Sequence, residues 1–232
     1  MPAKTAAESP REKSFFLAGP ETKILNWIAP RLPRRVMPDH MTALGVLAAL
    51  GIAIAYALSA HDSTWLWAAS ALLVVHWLGD SLDGTLARVR KTERPKYGYY
   101  LDHLVDAIAT VMIGIGIGLS GEMLMITGLI VVIAYLVLSI NTYLETQAFG
   151  VFKLGYGRFG PTEARIGLVA INAIMALGLT FHFDAFGVGF GVLDVIGLGG
   201  AALMLGGLSI RAFGNLRELA KLEPARPTPR PA

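Results

Sequence analysis

The stretch GDSLDGTLARVRKTERPKYGYYLDHLVDA, residues 79–107, carries four aspartates at the ends of two segments that are otherwise apolar enough to enter a lipid bilayer. The four are Asp80, Asp83, Asp102 and Asp106. A carboxylate without a partner at the centre of a bilayer costs about 3 kcal/mol on insertion scales. The fold and function predicted for this chain both depend on what offsets that cost.

The composition around this stretch is that of a membrane protein. Of the 232 residues, 54% are hydrophobic and 16% are charged, and 26 are glycines. Soluble domains of this length are less apolar, and glycine is common in membrane helices. The chain has no cysteine, which excludes disulfides and thiolate metal sites.

Six apolar segments are long enough to cross about 30 Å of hydrocarbon, which takes about 20 residues each. They are residues 41–60, 64–86, 99–119, 123–147, 163–181 and 190–213. With six spans, all 20 lysines and arginines fall on one side of the membrane, together with both termini. The positive-inside rule makes that side cytoplasmic. The predicted fold class is therefore all-α, an integral membrane bundle of six transmembrane helices.

The ends of the chain differ from this membrane domain, which we assign to residues 41–220. Within residues 1–40, the stretch ETKILNWIAPRLPRRV is typical either of an interfacial helix or of a basic tether before the first span. Residues 221–232 form a proline-rich tail that we expect to be disordered.

The aspartates fall on two helical stripes. A helix turns about 100° per residue, so side chains three or four residues apart share a face. The first stripe holds Asp80, Asp83, Gly84 and Ala87, and the second holds Gly98, Asp102 and Asp106. The connection at residues 89–97 is short, which predicts antiparallel neighbours whose four carboxylates converge near the cytoplasmic surface. Their mutual repulsion requires a cation between them.

The residue types indicate which cation. Hard oxygen ligands without cysteine or a histidine cluster favour Mg²⁺, Mn²⁺ or Ca²⁺. Magnesium is usually held by few protein carboxylates together with substrate phosphate oxygens. Gly84 leaves room for a ligand, and Arg88 can donate a forked pair of hydrogen bonds to a phosphate.

The pattern Asp-x₂-Asp-Gly-x₂-Ala-Arg-x₉-Gly-x₃-Asp-x₃-Asp, from Asp80 to Asp106, resembles the signature of the CDP-alcohol phosphotransferase family. Every fixed position is present, and the six spans match that family as well. The resemblance implies an enzyme of phospholipid biosynthesis that transfers a substituted phosphoryl group from a CDP-linked donor to an alcohol and releases CMP.

The resemblance also implies roles for individual residues. Asp80, Asp83 and Asp102 would hold the metal, with Asp106 as general base and ligand of a second ion. The cofactor would be Mg²⁺ or Mn²⁺, as two ions.

A CDP pocket is implied in the same way. Asp83 and the neighbouring Gly84, Ala87 and Arg88 would line it. The stretch PDHMT resembles a further family motif, which adds Thr42 to the pocket, although Asp39 stands where the family usually has asparagine.

Four cations beyond the signature are candidates for the acceptor site. They are Lys153, Arg158, Arg165 and Arg211. Arg165 and Arg211 could instead pair with Glu145, Glu163 or a lipid phosphate. Family members with sugar-phosphate acceptors place basic residues in these late spans, which favours CDP-diacylglycerol as donor and a polar alcohol as acceptor.

Three other functions remain as alternatives. The stretch FGPTEARI, residues 159–166, resembles aminoalcohol phosphotransferases, which transfer from CDP-choline or CDP-ethanolamine to a lipid alcohol. An ion-coupled transporter would stagger its acids through the membrane depth, whereas these gather at one face. Membrane prenyltransferases also bind magnesium pyrophosphate, but their acidic motifs lie in separate halves of a larger bundle.

The expected partners are the CDP-linked donor, the alcohol acceptor and membrane lipids, and no nucleic acid. The glycines of IGIGIGLSG, residues 113–121, are typical of close helix packing. The family often dimerises, and that face would allow a homodimer.

Overall fold

The computed structural model of the protein describes residues 16–149, 160–185 and 187–224. Within these ranges the chain forms seven α-helices and one β-hairpin. In chain order they are α1 (Ala18–Ile28), α2 (Pro38–Ser59), α3 (Trp65–Arg90), α4 (Pro95–Leu119), α5 (Met125–Phe149), α6 (Pro161–Ala176), β1 (His182–Ala185), β2 (Val188–Gly191) and α7 (Val192–Leu222). A short 3₁₀ turn, Ala29–Arg31, follows α1.

The chain is an integral membrane protein whose six predicted apolar segments each fall on one of the helices α2 to α7. Four of these helices, α2, α4, α5 and α7, are long and apolar enough to cross a membrane. Helix α3 has 26 residues but carries charged side chains in its C-terminal half. Helix α6 has only 16 residues, or about 24 Å at 1.5 Å per residue. By length and composition alone, four of these six helices therefore qualify as membrane spans.

The prediction of an all-α chain departs from the structure at the connection between α6 and α7. The predicted fifth span runs to residue 181, but α6 ends at Ala176 and Gly178 follows with a φ of +72°. β1 and β2 then pair antiparallel around Gly187, and Phe183 stacks on its cross-strand partner Phe190 with ring centroids 5.8 Å apart. Aromatic residues separated by glycines favour this hairpin over a longer helix.

Helices α2 and α3 touch at their backbones. A Cβ built on Gly79 would lie 2.5 Å from the Gly45 nitrogen and 2.8 Å from the Met41 carbonyl oxygen. Glycines that let helix backbones approach closely are typical of membrane bundles. This contact lies one residue before Asp80, so it fixes where the first carboxylate stands relative to α2.

Gly79→Ala should therefore destabilise the protein, because the new methyl group meets backbone atoms that cannot rotate away. Overpacking of this kind costs about 1–3 kcal/mol, or roughly 2–10 °C in Tm for a chain of this size. Thermal unfolding in detergent measures it. The matched control is Gly206→Ala in α7, where an added Cβ meets nothing within 4 Å. Equal Tm values for the two variants would contradict the close contact.

The glycines of α4 also pack within the chain, as their pattern predicts. A Cβ on Gly116 would lie 2.6 Å from the Ala53 Cα in α2, and one on Gly114 would lie 2.2 Å from Val132 Cγ2 in α5. The helix surface at these glycines is therefore covered by α2 and α5 of the same chain. A homodimer would need another surface.

Helix α1 belongs to the folded bundle. Leu25 and Ala29 are buried against Leu82 and Leu86 of α3. After the 3₁₀ turn, the Arg90 guanidinium at the end of α3 donates to the backbone carbonyls of residues 32, 33, 34 and 36. The opposite face of α1 is exposed, with Trp27 61% accessible, as expected for an interfacial helix.

Candidate active site

The turn between α3 and α4 brings the two aspartate stripes to the same end of the bundle. Lys91 ends α3 in the left-handed conformation, with a φ of 56°. Pro95 then begins α4, where its missing N–H leaves no helical hydrogen bond unmade. Both helices pack extensively against α2 and make few contacts with each other. The predicted antiparallel pair is therefore a three-helix arrangement with α2.

Three of the four aspartates line one small cavity. Asp80, Asp83 and Asp106 share its walls with Thr42 of α2 and with His76. The cavity has a volume of about 10 Å³, which is room for about one water-sized or ion-sized guest. The predicted convergence of α3 and α4 carboxylates is thus present for three of the four, and Asp102 does not line this cavity.

Asp83 is held in place by two hydrogen bonds. Thr42 Oγ1 donates to Asp83 Oδ2 at 2.8 Å, and the Gly84 N–H donates to Asp83 Oδ1 at 2.5 Å. Thr42 was expected to contact the nucleotide. In the structure its hydroxyl orients a carboxylate of the signature, which ties α2 to the site.

Asp80 forms an ion pair with α6. Arg165 Nη2 donates to Asp80 Oδ2 at 2.6 Å, and both side chains are mostly buried, with 17% and 20% of their surfaces exposed. The sequence predicts Arg165 as an acceptor residue, with Glu145, Glu163 or a lipid phosphate as the alternative partners. The actual partner lies 85 residues away, and nothing in the local sequence indicates it.

Asp102 lies one helical turn before Asp106 and beside an aromatic cluster. One ligand atom from each of Asp102, His103 and Asp106 lies within 4.8 Å of the other two. The His103 ring stacks on Tyr143 of α5 at 4.6 Å and meets Tyr99 edge-on at 4.3 Å. These packed rings fix the orientation of this turn of α4.

The donor set fits a divalent cation. Asp80, Asp83 and Asp106 line the same ion-sized cavity, and like charges this close need a proton or a cation between them. Arg165 pairs with one of the four carboxylates, that of Asp80. Carboxylate oxygens around an ion-sized cavity are the ligands that Mg²⁺ and Mn²⁺ prefer.

Asp106 also borders a second and larger cavity. Its volume is about 160 Å³, and Tyr135, Ser139 and Tyr143 of α5 contribute to its walls. A cavity of about 150 Å³ holds a molecule as large as benzene. Asp106 therefore lies between an ion-sized space and a space that admits part of a substrate.

The predicted CDP-binding residues of the signature lie towards the open end of the site. Gly84 and Arg88 are exposed, and Ala87 is partly buried between them on the same face. A Cβ on Gly98, at the start of α4, would meet nothing within 4 Å. Small residues beside an exposed arginine leave space for an anionic ligand.

Asp39, the departure from the family motif, has a partner of its own. Arg94 Nη2 lies 2.5 Å and 2.7 Å from the two Asp39 carboxylate oxygens. This hydrogen bond raises the pKa of Arg94 above its usual value. A carboxylate at this position thus joins the start of α2 to the start of α4.

The four acceptor candidates have different surroundings. Lys153 and Arg158 lie outside the described residues. Arg211 of α7 pairs with Glu145 of α5, with Arg211 Nε 2.6 Å from Glu145 Oε2. That pair was one of the alternatives open from the sequence, and it is mostly buried.

Two further residues of the site had no clear signal in the sequence. His76 is 5% exposed and lines the small cavity, and within the described part of the chain its Nδ1 makes no hydrogen bond. The one indication in the sequence that His76 belongs to the site is its position one helical turn before Asp80. Glu21 of α1 reaches α3 and α6, and the stretch that contains it has no motif.

The chain is similar in sequence to known proteins. The model of the CDP-alcohol phosphatidyltransferase family matches residues 35–204. The phosphatidylinositol phosphate synthase of Cutibacterium acnes is 33% identical over 98 residues. That alignment covers 42% of this chain and 45% of the relative, so less than half of each sequence is compared.

Proposed function

Since this chain belongs to the CDP-alcohol phosphatidyltransferase family, we propose that it transfers the phosphatidyl group of CDP-diacylglycerol to a polar alcohol and releases CMP. The observation that carries the proposal is the convergence of Asp80, Asp83 and Asp106 on one ion-sized cavity. Their signature spacing, with Gly84 and Arg88 at the open end, supplies room and charge for a pyrophosphate.

The proposed membrane arrangement has six spans, with α3 and α6 crossing as members of the bundle. Both termini and the site then face the cytoplasm, because every lysine and arginine falls on that side. Domain limits at residues 40 and 220 remain predictions, although α7 continues to Leu222.

For the metal, we assign Asp80, Asp83, Asp102 and Asp106 as ligands of two Mg²⁺ or Mn²⁺ ions. Bound ions of this kind neutralise phosphate charge and polarise the phosphorus centre. Thr42 orients Asp83 through its hydroxyl, and partners of this kind usually tune a ligand carboxylate.

Asp106 is the proposed general base. Its position between the two cavities lets it face a hydroxyl that enters from the α5 side. The alcohol oxygen bonds to the phosphorus that carries the diacylglycerol, the bond from that phosphorus to CMP breaks, and the hydroxyl proton passes to Asp106. The aromatic rings around His103 keep this turn of α4 in place.

The proposed acceptor is a phosphorylated polyol. The named relative makes phosphatidylinositol phosphate, so inositol phosphate is the first acceptor to test. Arg165 and Arg211, with Lys153 and Arg158, would bind its phosphate. The stretch GPTEAR does not require a lipid alcohol, because Glu163 caps α6 and Thr162 contacts α1.

CMP release by the purified protein in lipid tests the function directly. CDP-diacylglycerol, CDP-choline and CDP-ethanolamine are each combined with inositol phosphate, glycerol phosphate, serine and diacylglycerol. We expect release with CDP-diacylglycerol and a phosphorylated polyol. Release with CDP-choline and diacylglycerol alone would assign the aminoalcohol reaction instead.

Arg165→Ala and Arg211→Ala should each raise the acceptor's KM by about tenfold or more, because each removes a charged hydrogen-bond donor from an anion. The donor's KM should change by less than about threefold, since the proposed donor contacts are on α3. Steady-state CMP release at varied acceptor and varied donor concentrations separates the two constants.

Two matched variants control this test. Arg217→Ala removes an exposed cation of α7 that lies over the Phe213 ring and should leave both constants unchanged. Glu145→Gln keeps Arg211 but removes the negative charge of its partner, and the acceptor's KM should not rise. If Glu145→Gln matches Arg211→Ala, Arg211 acts only through its ion pair.

A further inference from the structure

One carboxylate of the N-terminal helix joins three helices of the bundle. Glu21 Oε1 accepts hydrogen bonds from Trp77 Nε1 at 3.2 Å and from Ser81 Oγ at 3.1 Å, both on α3. Glu21 Oε2 accepts from Thr162 Oγ1 of α6 at 3.1 Å. Helix α1 therefore connects α3 to α6 through a single side chain.

A second contact supports the same connection. The Leu17 N–H, just before α1, donates to Glu163 Oε1 at 2.9 Å. Glu163 Oε2 accepts from the Gly160 N–H at 3.0 Å, which caps the start of α6. The start of α1 and the start of α6 are thus held together at two points.

These contacts and the candidate active site both link α3 to α6. Ser81 follows Asp80 on α3, and Thr162 lies one helical turn before Arg165 on α6. Helices α3 and α6 meet directly at this end through the ion pair of Asp80 and Arg165, 2.6 Å long, and further along through the hydrogen bond that Asn172 Nδ2 donates to Ser70 Oγ at 3.2 Å. The indirect link runs from Ser81 through Glu21 to Thr162.

We propose that Glu21 is a positioning residue that sets the spacing of α3 and α6 at the end that carries the site, and thereby places Arg165 against Asp80. Helix α1 is then a working part of the site rather than a tether. The kinetic part of this inference rests on the proposed function, because Asp80 is there a metal ligand and Arg165 an acceptor residue.

The chemistry of the three partners explains why a carboxylate stands here. The indole N–H of Trp77 can only donate, and the hydroxyls of Ser81 and Thr162 both donate in the structure. An ionised carboxylate accepts from all three at once. Glutamine keeps an acceptor for α3, and its amide can donate to the Thr162 oxygen, whereas alanine reaches neither helix.

The kinetic test compares Glu21→Ala, Glu21→Gln and a neighbouring control, Thr22→Ala. Thr22 bonds only within α1, to the Ala18 carbonyl. Glu21→Ala should raise the KM of inositol phosphate by about tenfold or more, because a misplacement of about 1 Å caused by a distant mutation can cost up to about 100-fold. Glu21→Gln should restore most of the loss, and Thr22→Ala should match wild type.

A merely structural role gives a different result. Fewer folded molecules would lower the apparent kcat and leave the acceptor's KM as in wild type. An unchanged KM in Glu21→Ala would therefore overturn the proposal. So would a Glu21→Gln variant as impaired as alanine, since charge rather than hydrogen bonding would then be required.

The spacing itself can be measured without any substrate. The chain has no cysteine, so Val89→Cys on α3 and Ala164→Cys on α6, both exposed, take spin labels at unique positions. In lipid nanodiscs, the distance distribution between the labels should be narrow in the Glu21 background and broad after Glu21→Ala. Equal distributions would contradict the proposal, whatever reaction the protein catalyses.

Discussion

Asp80→Asn, Asp83→Asn and Asp102→Asn should each lower CMP release by at least about 10³-fold, because metal ligation at a phosphoryl centre contributes several kcal/mol. The amide keeps the shape of the side chain but loses the charge that a divalent cation needs. Asp80→Asn also removes the partner of Arg165. Binding of Mn²⁺, followed by electron paramagnetic resonance of the protein in lipid, should weaken in the same variants.

Asp184→Asn is the matched control for these three variants. Asp184 is an exposed carboxylate of the β-hairpin, at the opposite end of the bundle, and its loss should change neither rate nor Mn²⁺ binding. Full activity of the wild type after exhaustive EDTA treatment, with no metal restored, would refute metal dependence.

Asp106→Asn should lower kcat by at least about 100-fold, the usual scale of general-base catalysis. Donor affinity should fall much less, because Asp106 borders the large cavity on the α5 side as well as the ion-sized cavity. Donor binding by calorimetry and turnover by CMP release give the two quantities on one preparation.

The relation between these two losses decides the role of Asp106. If affinity and rate fall by the same factor, Asp106 is chiefly a metal ligand. Ser139→Ala is a suitable control, because Ser139 lines the same cavity but its hydroxyl bonds to the Tyr135 carbonyl of its own helix. We expect it to leave kcat within about threefold of wild type.

The carboxylate cluster could be predicted because its signal is local. Asp80 and Asp83 share a helical face by spacing alone, as do Asp102 and Asp106, and a short connection brings the two faces to one end. Glycines at helix contacts could be anticipated from the same periodic patterns. The role of α2 between the two stripes was missed, since it depends on the backbone contact of Gly45 with Gly79.

The contacts that complete the site join distant parts of the chain and leave no local pattern. Arg165 binds a carboxylate 85 residues earlier, and Glu21 meets Thr162 across 141 residues. Each partner is an ordinary polar residue in its own neighbourhood. The hairpin between α6 and α7 was missed for another reason, because an apolar run of that length suits a helix as well as two short strands.

The charged end of α3 and the shortness of α6 bear on how the chain is made. A segment with charged residues inserts poorly into the bilayer when it is alone. Helix α2 is synthesised just before α3 and offers the glycine surface that α3 packs against. We expect α3 to enter the bilayer as a hairpin with α2, and α6 to settle later against α3. The membrane insertion of α3, which carries Asp80 and Asp83, would then depend on α2, the helix synthesised before it.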